Sequence, residues 1–468
     1  MVLKDFLDDT IAAISTPLGE GGLGVIRVSG KDAIAIADSI FLSKRRRSVK
    51  QQKSYTVQYG HIFSETAQDE KRIIDEVLVL VMRSPKSYTG EDVVEISAHG
   101  GAAVLGAILE LAIQRGARLA AKGEFTKRAF LNGRMDLLQA ETVLDLVQAK
   151  TDLVREWASE KLKGKLSLKI EGLKKDLVDI LSHLEASIDF PEDFPETHPS
   201  TQIGVRLGFL AQEVKSVLKN AEFAIVIKKG LKVVLAGRPN VGKSSLMNEL
   251  ARTHRVIVTP YPGTTRDVVE EEIQIRGIPI RLVDTAGIQE TSHPIEKEGI
   301  DRTKHAVWEA DLVLPVLDGS QPFDGEDRKL LSLIGNKAKI IAVNKSDLPK
   351  KLDDSRLTQE FPGVRFVCCS CVQKDGLKQL EEEIFRFINH GQAQMSETPL
   401  VNSVRQRDLL SKVFQNIEDA KSACHSNASP ELVAVDIRLA LDHLGALVGE
   451  VVTEDVLEAL FSQFCIGK

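Results

Sequence analysis

The sequence predicts a multidomain protein of mixed α/β and α+β class, in which an inserted doubly wound α/β domain interrupts a helical domain. Three observations support this prediction. The chain has 468 residues, too many for a single hydrophobic core. Apolar residues recur at helical spacing before and after a region in which strand-like and helix-like runs alternate. The first part of the chain instead combines several strand-like runs with one helix.

The composition is that of a soluble globular protein, with 43% hydrophobic and 27% charged residues. We expect no membrane contact, because no apolar stretch reaches spanning length. We expect a cytoplasmic location, since the first residues place acids before any apolar run and lack the pattern of a secretory signal. The five cysteines are an odd number, and the three in VCCSC have no second Cys/His pair at metal-finger spacing, so reduced thiols are expected.

The charge balance limits what the molecule can bind. A formal net charge of −6 and 5% aromatic residues argue against attraction of the whole molecule to nucleic acid, so any RNA contact must be local. One dense basic run lies between residues 44 and 53 and contains Lys44, Arg45, Arg46, Arg47, Lys50 and Lys53. The run is compatible with a solvated loop and with a small binding patch, and the sequence leaves this choice open.

Residues 1–128 are predicted to form the α+β domain. Strand-like runs in this region are TIAAIS, GLGVIRVSG, YTVQYGHIF, IIDEVLVLVMRS and DVVEISAHGG. A helix is predicted over AAVLGAILELAIQRG, where apolar residues recur at intervals of three and four.

The helical domain is predicted in two parts, residues 129–228 and residues 393–468. The first part has helices over MDLLQAETVLDLVQAK, 154–184 and 203–227, and the prolines of DFPEDFPETHPS separate the last two. The second part has helices in LLSKVFQNIEDAKSA, ELVAVDIRLALDHLGALVGE and TEDVLEALFSQF. Residues 229–392 between them alternate strand, loop and helix, and such an insertion requires that its two ends lie close together.

The inserted domain opens with a phosphate-binding motif. LKVVLAGRPNVGKSSLMNEL is an apolar strand, a loop with Gly237, Gly242, Lys243 and Ser244 at phosphate-loop spacing, and a helix. The glycines let backbone N–H groups surround phosphates, Lys243 reaches the β and γ oxygens, and Ser244 is placed to ligate Mg²⁺.

Three further motifs follow in order and point to GTP. PGTTRD supplies Thr264 and Thr265, and IRLVDTAG ends a buried strand with Asp284 and supplies Gly287 for the γ-phosphate. KIIAVNKSD supplies the third motif, Asn344, Lys345 and Asp347, and VCCSC would present Ser370 beside the base. A carboxylate at position 347 can accept both N–H donors of guanine, a pair that adenine does not offer.

The motifs depart from those of small signalling GTPases. Ile288 follows DTAG, so the glutamine that orients water in those proteins is missing. Glu296 or Glu298 could orient water instead, and ordinary exposed acids are the alternative. Asn240 could hold a monovalent cation against the phosphates and so supply positive charge to the transition state.

Taken together, the motifs resemble the MnmE/TrmE family of tRNA-modification GTPases over essentially the whole chain. The marks of this resemblance are GRPNVGKSS, PGTTRD, DTAGI, TGEDVVEISAHGG, GEFTKRAFLNGRMDLLQAE and the final CIGK. The resemblance implies an N-terminal domain that binds 5-formyltetrahydrofolate or a related tetrahydrofolate and forms a homodimer, and G domains whose GTP hydrolysis K⁺ promotes. It further implies a heterotetramer or larger complex with a flavin-binding partner (MnmG, formerly GidA), which adds an aminomethyl-type group at carbon 5 of the tRNA wobble uridine.

The resemblance assigns a role to individual residues of this chain, position by position. Glu296 matches the water-orienting glutamate, Ser244 and Thr265 match the Mg²⁺ ligands, and the K⁺ ligands match Asn240, Thr259, Tyr261 and Thr264. The nucleotide-binding positions are Asn240, Val241, Gly242, Lys243, Ser244, Ser245, Thr259, Thr264, Thr265, Asp284, Thr285, Ala286, Gly287, Asn344, Lys345, Asp347 and Ser370. The folate positions are Arg27, Glu95, Arg134 and Lys468, and Cys465 is implied near the one-carbon unit as a candidate nucleophile.

Two other classes of protein stay open at this point. A GTPase that binds ribosomal RNA during assembly would share PNVGKSSLMNEL and PGTTRD, although the sequence lacks a basic RNA-binding appendage after the G domain. A folate enzyme with a regulatory nucleotide domain would turn over a one-carbon substrate without any flavoprotein.

Overall fold

The protein is described from a computed structural model, which covers residues 9–65, 70–190, 199–254, 270–284, 304–388, 400–426 and 428–468. The chain forms two compact units. The first unit comprises Met1–Leu144, Leu166–Pro195 and Pro430–Lys468, and the second comprises Asp145–Lys165 and Glu196–Ser429. Both units are built from discontinuous segments, and the predicted mixture of α+β, helical and doubly wound α/β architecture is confirmed.

The first unit is built on a seven-stranded sheet of order β3-β4-β5-β6-β2-β1-β7. Neighbouring strands are antiparallel except β1 and β7, which are parallel. The strands are β1 Ile11–Ile14, β2 Gly24–Ser29, β3 Phe41–Ser43, β4 Thr56–Glu65, β5 Lys71–Met82, β6 Val93–Ala98 and β7 Arg118–Leu119.

The two faces of this sheet have different surroundings. One face packs against the helices Ala33–Ile40 and Ala102–Gln114 in a core that includes Ile26, Val79 and Ile96. Because side chains alternate along a strand, the neighbouring residues point to the opposite face. The register places Arg27 beside Glu95 and Glu95 beside Leu80 on that opposite face.

The remaining helices of the first unit lie outside this sheet core. A smaller core joins Leu137, Ala140 and Leu144 to Leu457, Phe461 and Phe464. The helices are Glu124–Leu131, Leu137–Gln148, Lys165–Asp189, Pro430–Val448 and Glu454–Phe461, and a 3₁₀ turn spans Val49–Gln51.

The second unit contains a six-stranded sheet of order β13-β12-β11-β8-β10-β9. All neighbours are parallel except the edge pair β9 and β10. Helices cover both faces, as the prediction of a doubly wound domain requires. The strands are β8 Leu231–Ala236, β9 Glu270–Ile275, β10 Ile278–Asp284, β11 Leu312–Asp318, β12 Ile340–Asn344 and β13 Arg365–Cys368.

The helices of the second unit include those of the α/β layer and those outside it. They are Asp152–Leu162, Pro199–Leu218, Ala221–Lys229, Lys243–His254, Gly325–Ile334, Asp354–Glu360, Leu377–Ile388 and Val404–His425, and residues 304–309 are also helical. No helix in the described part of the chain is long and apolar enough to cross a membrane.

Two helices predicted as continuous are each divided in two. The helix predicted over 154–184 breaks at Gly164, which has a φ of 77°, and the helix predicted over 203–227 breaks at Asn220, which has a φ of 66°. A single left-handed residue ends a helix while the apolar pattern continues on the other side, so periodicity alone does not detect the break. The proline-rich segment lies mostly outside the described residues.

A buried arginine joins the start of the first unit to one of its helices. Arg128 is 1% exposed in its side chain and pairs with Asp9, Glu91 and Glu124. Arg118 pairs with two of the same carboxylates, those of Asp9 and Glu124, but is 49% exposed. The two arginines therefore share two carboxylate partners but lie at different depths.

We predict that Arg128→Met destabilises the protein by about 3 kcal/mol, because it removes a buried cation and takes away the ion-pair partner of the Glu91 carboxylate, which is only 13% exposed. Arg118→Met is the matched control and is expected to cost less than about 1 kcal/mol, since exposed ion pairs contribute little. Urea unfolding followed by circular dichroism measures both. Equal losses in the two variants would contradict the role given to burial.

Candidate nucleotide site and C-terminal tail site

The phosphate loop follows β8 at the carboxyl edge of the parallel sheet, and its helix begins at Lys243. Two glycines in the loop lie too close to neighbouring strands for a side chain. A Cβ at Gly237 would lie 2.6 Å from the carbonyl oxygen of Val316, and a Cβ at Gly242 would lie 2.2 Å from Asn344 Nδ2. Gly242 also has a φ of 98°, which favours glycine.

Lys243 and Ser244 lie at the start of this helix with their polar atoms in the loop. The Lys243 ammonium donates to the carbonyl oxygens of Gly237 and Arg238 at 2.8 and 2.9 Å. Burial lowers the pKa of Lys243, and the negative charge of Asp284 opposes this change. Ser244 Oγ donates to Asp284 Oδ2 at 2.7 Å. A hydroxyl next to a carboxylate is the kind of hard oxygen pair that suits Mg²⁺.

Asn344, at the end of β12, ties the phosphate loop to the loop after β13. Its Nδ2 donates to the carbonyl oxygen of Val241 at 2.9 Å, and its Oδ1 accepts from Cys371 Sγ at 3.4 Å. The side chain is buried, with 3% exposure. Asn344 therefore acts from beneath the site as a positioning residue.

The predicted base-recognition residues lie together. Ser370 Oγ donates to Asp347 Oδ1 at 2.6 Å and accepts the backbone N–H of Gln373 at 3.1 Å. Ser370 is fully buried. The serine thus orients the Asp347 carboxylate, the group that the sequence predicts for guanine recognition.

Asp318 belongs to the site and was missed by the sequence argument. It ends β11 and accepts from Lys345 Nζ at 2.6 Å. Burial would raise the pKa of Asp318, but hydrogen bonds from Lys345 and Ser320 outweigh it and lower the pKa below its ordinary value. An acid at the end of a buried strand, in LVLPVLDG, was the available signal.

Asn240 is exposed at the tip of the phosphate loop with a φ of 64°. A cleft of about 460 Å³ borders it and is lined on another side by Asp318 and Lys345. Ser245 is exposed on the first turn of the helix. Several predicted site residues lie outside the described part of the chain, namely Thr259, Tyr261, Thr264, Thr265, Thr285, Ala286, Gly287 and Glu296.

A second polar site lies on the face of the first unit's sheet opposite the helices Ala33–Ile40 and Ala102–Gln114. Arg27 and Glu95 are direct neighbours on β2 and β6, and Arg27 Nη2 lies 2.7 Å from Glu95 Oε1. The guanidinium also lies 5.4 Å from the ring centre of Tyr88 and 5.6 Å from that of Phe125. Planar guanidinium groups favour such aromatic neighbours.

The end of the chain closes over this arginine. The carbonyl oxygen of Gly467 accepts from Arg27 Nη1 at 3.3 Å and from Ser15 Oγ at 3.1 Å. Gly467 has a φ of 94°, and a Cβ there would lie 2.4 Å from the carbonyl oxygen of Ile14. Burial, together with the positive charge of Arg27, lowers the pKa of Lys468.

The structure brings together three of the four predicted folate residues. Arg27, Glu95 and Lys468 form one cluster, whereas Arg134 is exposed in the turn after the helix Glu124–Leu131 and forms no ion pair with Glu95 within the described part of the chain. Cys465 is exposed, and its carbonyl oxygen accepts from the N–H of Gly123 at 3.4 Å. Tyr88 and Phe125 were missed, because nothing in their sequence surroundings distinguishes them from core aromatics.

The phosphate loop, the Ser244–Asp284 pair and the Asp347–Ser370 pair define a P-loop protein of the GTPase class. Comparisons with known proteins agree with this class. A family model described as "GTP-binding protein TrmE N-terminus" matches residues 10–134, and one described as "MnmE helical domain" matches residues 137–465.

Proteins named "tRNA modification GTPase MnmE" are similar over almost the whole chain. That of Clostridioides difficile (strain 630) is 41% identical over 463 residues, which cover 99% of this chain and 100% of the relative. That of Thermoanaerobacter pseudethanolicus is 42% identical over 460 residues, which cover 98% and 99%. The chain belongs to the MnmE family of tRNA modification GTPases. This membership favours the tRNA-modification class over a ribosome-assembly GTPase.

Among solved structures, the G domain of the T. maritima FeoB iron transporter is 33% identical to this chain, with a TM-score of 0.27. The match covers 34% of this chain and 98% of the FeoB chain. No conclusion rests on a similarity of that size.

We predict that Asp347→Asn lowers the affinity for GTP by about 100-fold and raises that for xanthosine triphosphate, because an amide N–H can donate to the 2-carbonyl of xanthine. Competition against a fluorescent nucleotide measures both affinities. Asp375→Asn is the control, since the Asp375 carboxylate is exposed and accepts from the N–H of Gly376. Unchanged GTP affinity in Asp347→Asn would remove the assignment of base recognition.

Proposed function

We propose that this chain hydrolyses GTP and uses the reaction, together with a flavin-binding partner, to modify carbon 5 of the wobble uridine of tRNA with a tetrahydrofolate one-carbon donor. The observation that carries the proposal is the pairing of Ser244 with Asp284 and of Ser370 with Asp347 in a chain of the tRNA modification GTPase family. The Ser244–Asp284 pair suits the metal ion and phosphates of GTP, and the Ser370–Asp347 pair suits its guanine base.

The residues of the G domain would share the work of binding and hydrolysis. Lys243 would exchange its two carbonyl acceptors for phosphate oxygens, and the N–H groups around Gly242 would surround the phosphates. Ser244, Thr265 and Asp284 are the proposed Mg²⁺ residues. A bound Mg²⁺ would neutralise negative charge that develops on the phosphates. Glu296 would orient the attacking water.

K⁺ is the proposed monovalent cofactor. The side-chain carboxamide of Asn240 makes no hydrogen bond to any residue that the structure describes, and it is exposed beside the phosphate loop. It can therefore turn an oxygen toward a cation at the phosphates. Thr259, Tyr261 and Thr264 are the proposed companions of Asn240.

We expect GTP hydrolysis to be at least about tenfold faster in KCl than in NaCl at equal ionic strength, because the cation adds positive charge where the transition state needs it. Asn240→Ala should abolish the difference between the salts. Glu296→Ala should lower the rate in both salts by about 100-fold or more while nucleotide binding persists. Steady-state phosphate release measures these rates, and equal rates of the unchanged protein in the two salts would remove the K⁺ role.

The cluster on the first unit supports the tetrahydrofolate proposal. Glu95 can accept the paired N–H donors of a pterin, and Arg27 and Lys468 supply positive charge for the carboxylates of a glutamate tail. The exposed thiol of Cys465 lies in the same tail, three residues before Lys468. We propose a role for this thiol in the modification reaction and not in GTP hydrolysis. Arg134 would have to act at a different point of the folate.

We predict that Glu95→Gln weakens binding of 5-formyltetrahydrofolate by about tenfold or more, because a carboxylate that accepts two hydrogen bonds is replaced by a neutral amide. Isothermal titration calorimetry measures the affinity. Glu76→Gln is the matched control, since Glu76 is also a strand carboxylate of this sheet but pairs with Lys44. Equal affinities of all three proteins would remove Glu95 from the proposed site.

The proposed assembly is a cytoplasmic homodimer that binds tRNA and joins its flavin-binding partner in a heterotetramer or larger complex. Val57, Tyr59 and Leu78 are exposed on β4 and β5 of the first unit, and this apolar surface supports pairing with a second copy. The domain limits of 1–128, 129–228, 229–392 and 393–468 remain our proposal.

A further inference from the structure

The segment between β3 and β4 presents a dense group of cations. We call residues 44–53 the basic loop. No Asp or Glu occurs between Asp38 and Glu65, and the loop contains six of the chain's Lys and Arg residues. The exposed cations of the loop are Lys44, Arg45, Arg46, Arg47, Lys50 and Lys53. Such a density contrasts with the net charge of −6 of the whole chain.

Most of these cations have no anionic partner among the residues that the structure describes. Lys44 pairs with Glu76, whose carboxylate lies 2.9 Å away. The other five cations of the basic loop form no ion pair with any carboxylate in the described ranges, and neither does the exposed Lys86 nearby. Their charge is therefore available to a ligand.

The backbone of the basic loop is held in place. Asp38 accepts from Ser48 Oγ at 2.7 Å and from the N–H of Val49 at 2.6 Å, and Val49 is fully buried. Gln52 is buried and donates to the carbonyl oxygen of Val79 at 3.0 Å. These contacts order the loop, so binding would cost less conformational entropy than binding by a free tail.

A second segment extends the same surface. Arg83 Nη2 donates to the carbonyl oxygens of Lys50 and Gln52 at 2.7 and 3.2 Å, and Tyr55 Oη donates to that of Lys86 at 2.5 Å. The Tyr55 side chain is 61% exposed. Lys86 and an aromatic ring thus lie beside the basic loop.

We propose that the basic loop and Lys86 form a docking surface for the phosphate backbone of tRNA. This proposal rests on the proposed function, and it names where the first unit would hold the RNA. Clustered unpaired cations match the spacing of charges along a nucleic acid backbone, and an exposed tyrosine beside them can stack on a base. The exposed residues of the loop are all polar, so it has no apolar side chain to insert into a lipid surface.

The test is a charge reversal that combines Arg45→Glu, Arg46→Glu and Arg47→Glu in the full chain. Unmodified tRNA with a fluorescent label is titrated at several KCl concentrations, and anisotropy reports the affinity.

A control variant combines Lys169→Glu, Lys329→Glu and Lys378→Glu. These three lysines are exposed elsewhere on the protein and form no ion pair with a described residue. The control makes the same change of net charge as the reversal. A milder variant with glutamine at 45, 46 and 47 guards against misfolding, and GTP hydrolysis reports that each variant is intact.

The proposal expects the reversal to weaken tRNA binding by at least about tenfold and to reduce the slope of log affinity against log salt by roughly 2, because about three phosphate contacts are lost. The glutamine variant should show a smaller loss in the same direction, and the scattered control should bind nearly as the unchanged protein does. GTP hydrolysis without tRNA should be unaffected in all variants.

Other outcomes overturn the proposal. Equal tRNA binding by the reversed, glutamine and unchanged proteins would exclude the basic loop, while leaving the proposed function in place. An equal loss in the scattered control would mean that net charge alone matters. Failure of the unchanged protein to bind tRNA would reject the tRNA part of the proposed function as well. Loss of binding to vesicles of 30% phosphatidylserine with tRNA binding intact would assign the surface to membranes instead.

Discussion

The nucleotide site depends on the buried carboxamide of Asn344. Its nitrogen holds the carbonyl of Val241 in the phosphate loop, and its oxygen accepts from the thiol of Cys371 in the loop after β13. The backbone carbonyl of Asn344 also accepts from the N–H of Gly319 at 2.8 Å, which fixes the loop after β11. Three loops are thereby joined at one residue. Since the carboxyl ends of parallel strands share one edge of the sheet, the side chain and the backbone carbonyl of one residue can together reach all three.

This constraint explains the glycine of the phosphate loop and couples the two ends of the site. Gly242 packs so closely on the Asn344 nitrogen that a methyl group would have to displace it. A shift of Asn344 would displace Val241 in the phosphate loop. It would also displace Cys371, which follows Ser370, the residue that orients Asp347. Phosphate binding and base binding therefore rely on one packed arrangement, and neither depends on local loop sequence alone.

The site on the first unit is built by a different principle. An antiparallel sheet can pack one face on helices and leave the other for chemistry. Here that second face carries Arg27 and Glu95, and the last residues of the chain close over them through Gly467. Segments far apart in sequence meet here: Ser15, just after β1, donates to the same Gly467 carbonyl as Arg27, and Phe125 of the helix Glu124–Leu131 lies 5.6 Å from the guanidinium. The result is a site in which a charged pair lies beside aromatic rings and the terminal lysine, Lys468.

Features that a short contiguous segment encodes could be predicted from the sequence, whereas contacts between distant segments could not. The helix that begins at Lys243 and the strand ends at Asp284 and Asn344 could be predicted, because nucleotide-binding motifs require particular residues at fixed spacing next to a strand. The turn at Gly164 and the one at Asn220 could not, because a single left-handed residue leaves the apolar pattern intact. The contact of Asp318 with Lys345 joins the end of β11 to the residue that follows the neighbouring strand β12, and such a contact depends on strand order. For the same reason, the exposed position of Arg134 could not be foreseen.

By itself, the sequence determined the class of each domain, the presence of a guanine-nucleotide site and the family, since periodicity and contiguous motifs are properties of short segments. The tertiary structure decided which distant residues meet: Ser370 with Asp347, Asn344 with Val241, and Arg27 with Gly467. It also decided that the basic loop is an ordered surface with unpaired cations, because Asp38 of the helix Ala33–Ile40 and Arg83, just after β5, hold its backbone. Contacts of this kind depend on strand order and packing, which no single segment encodes.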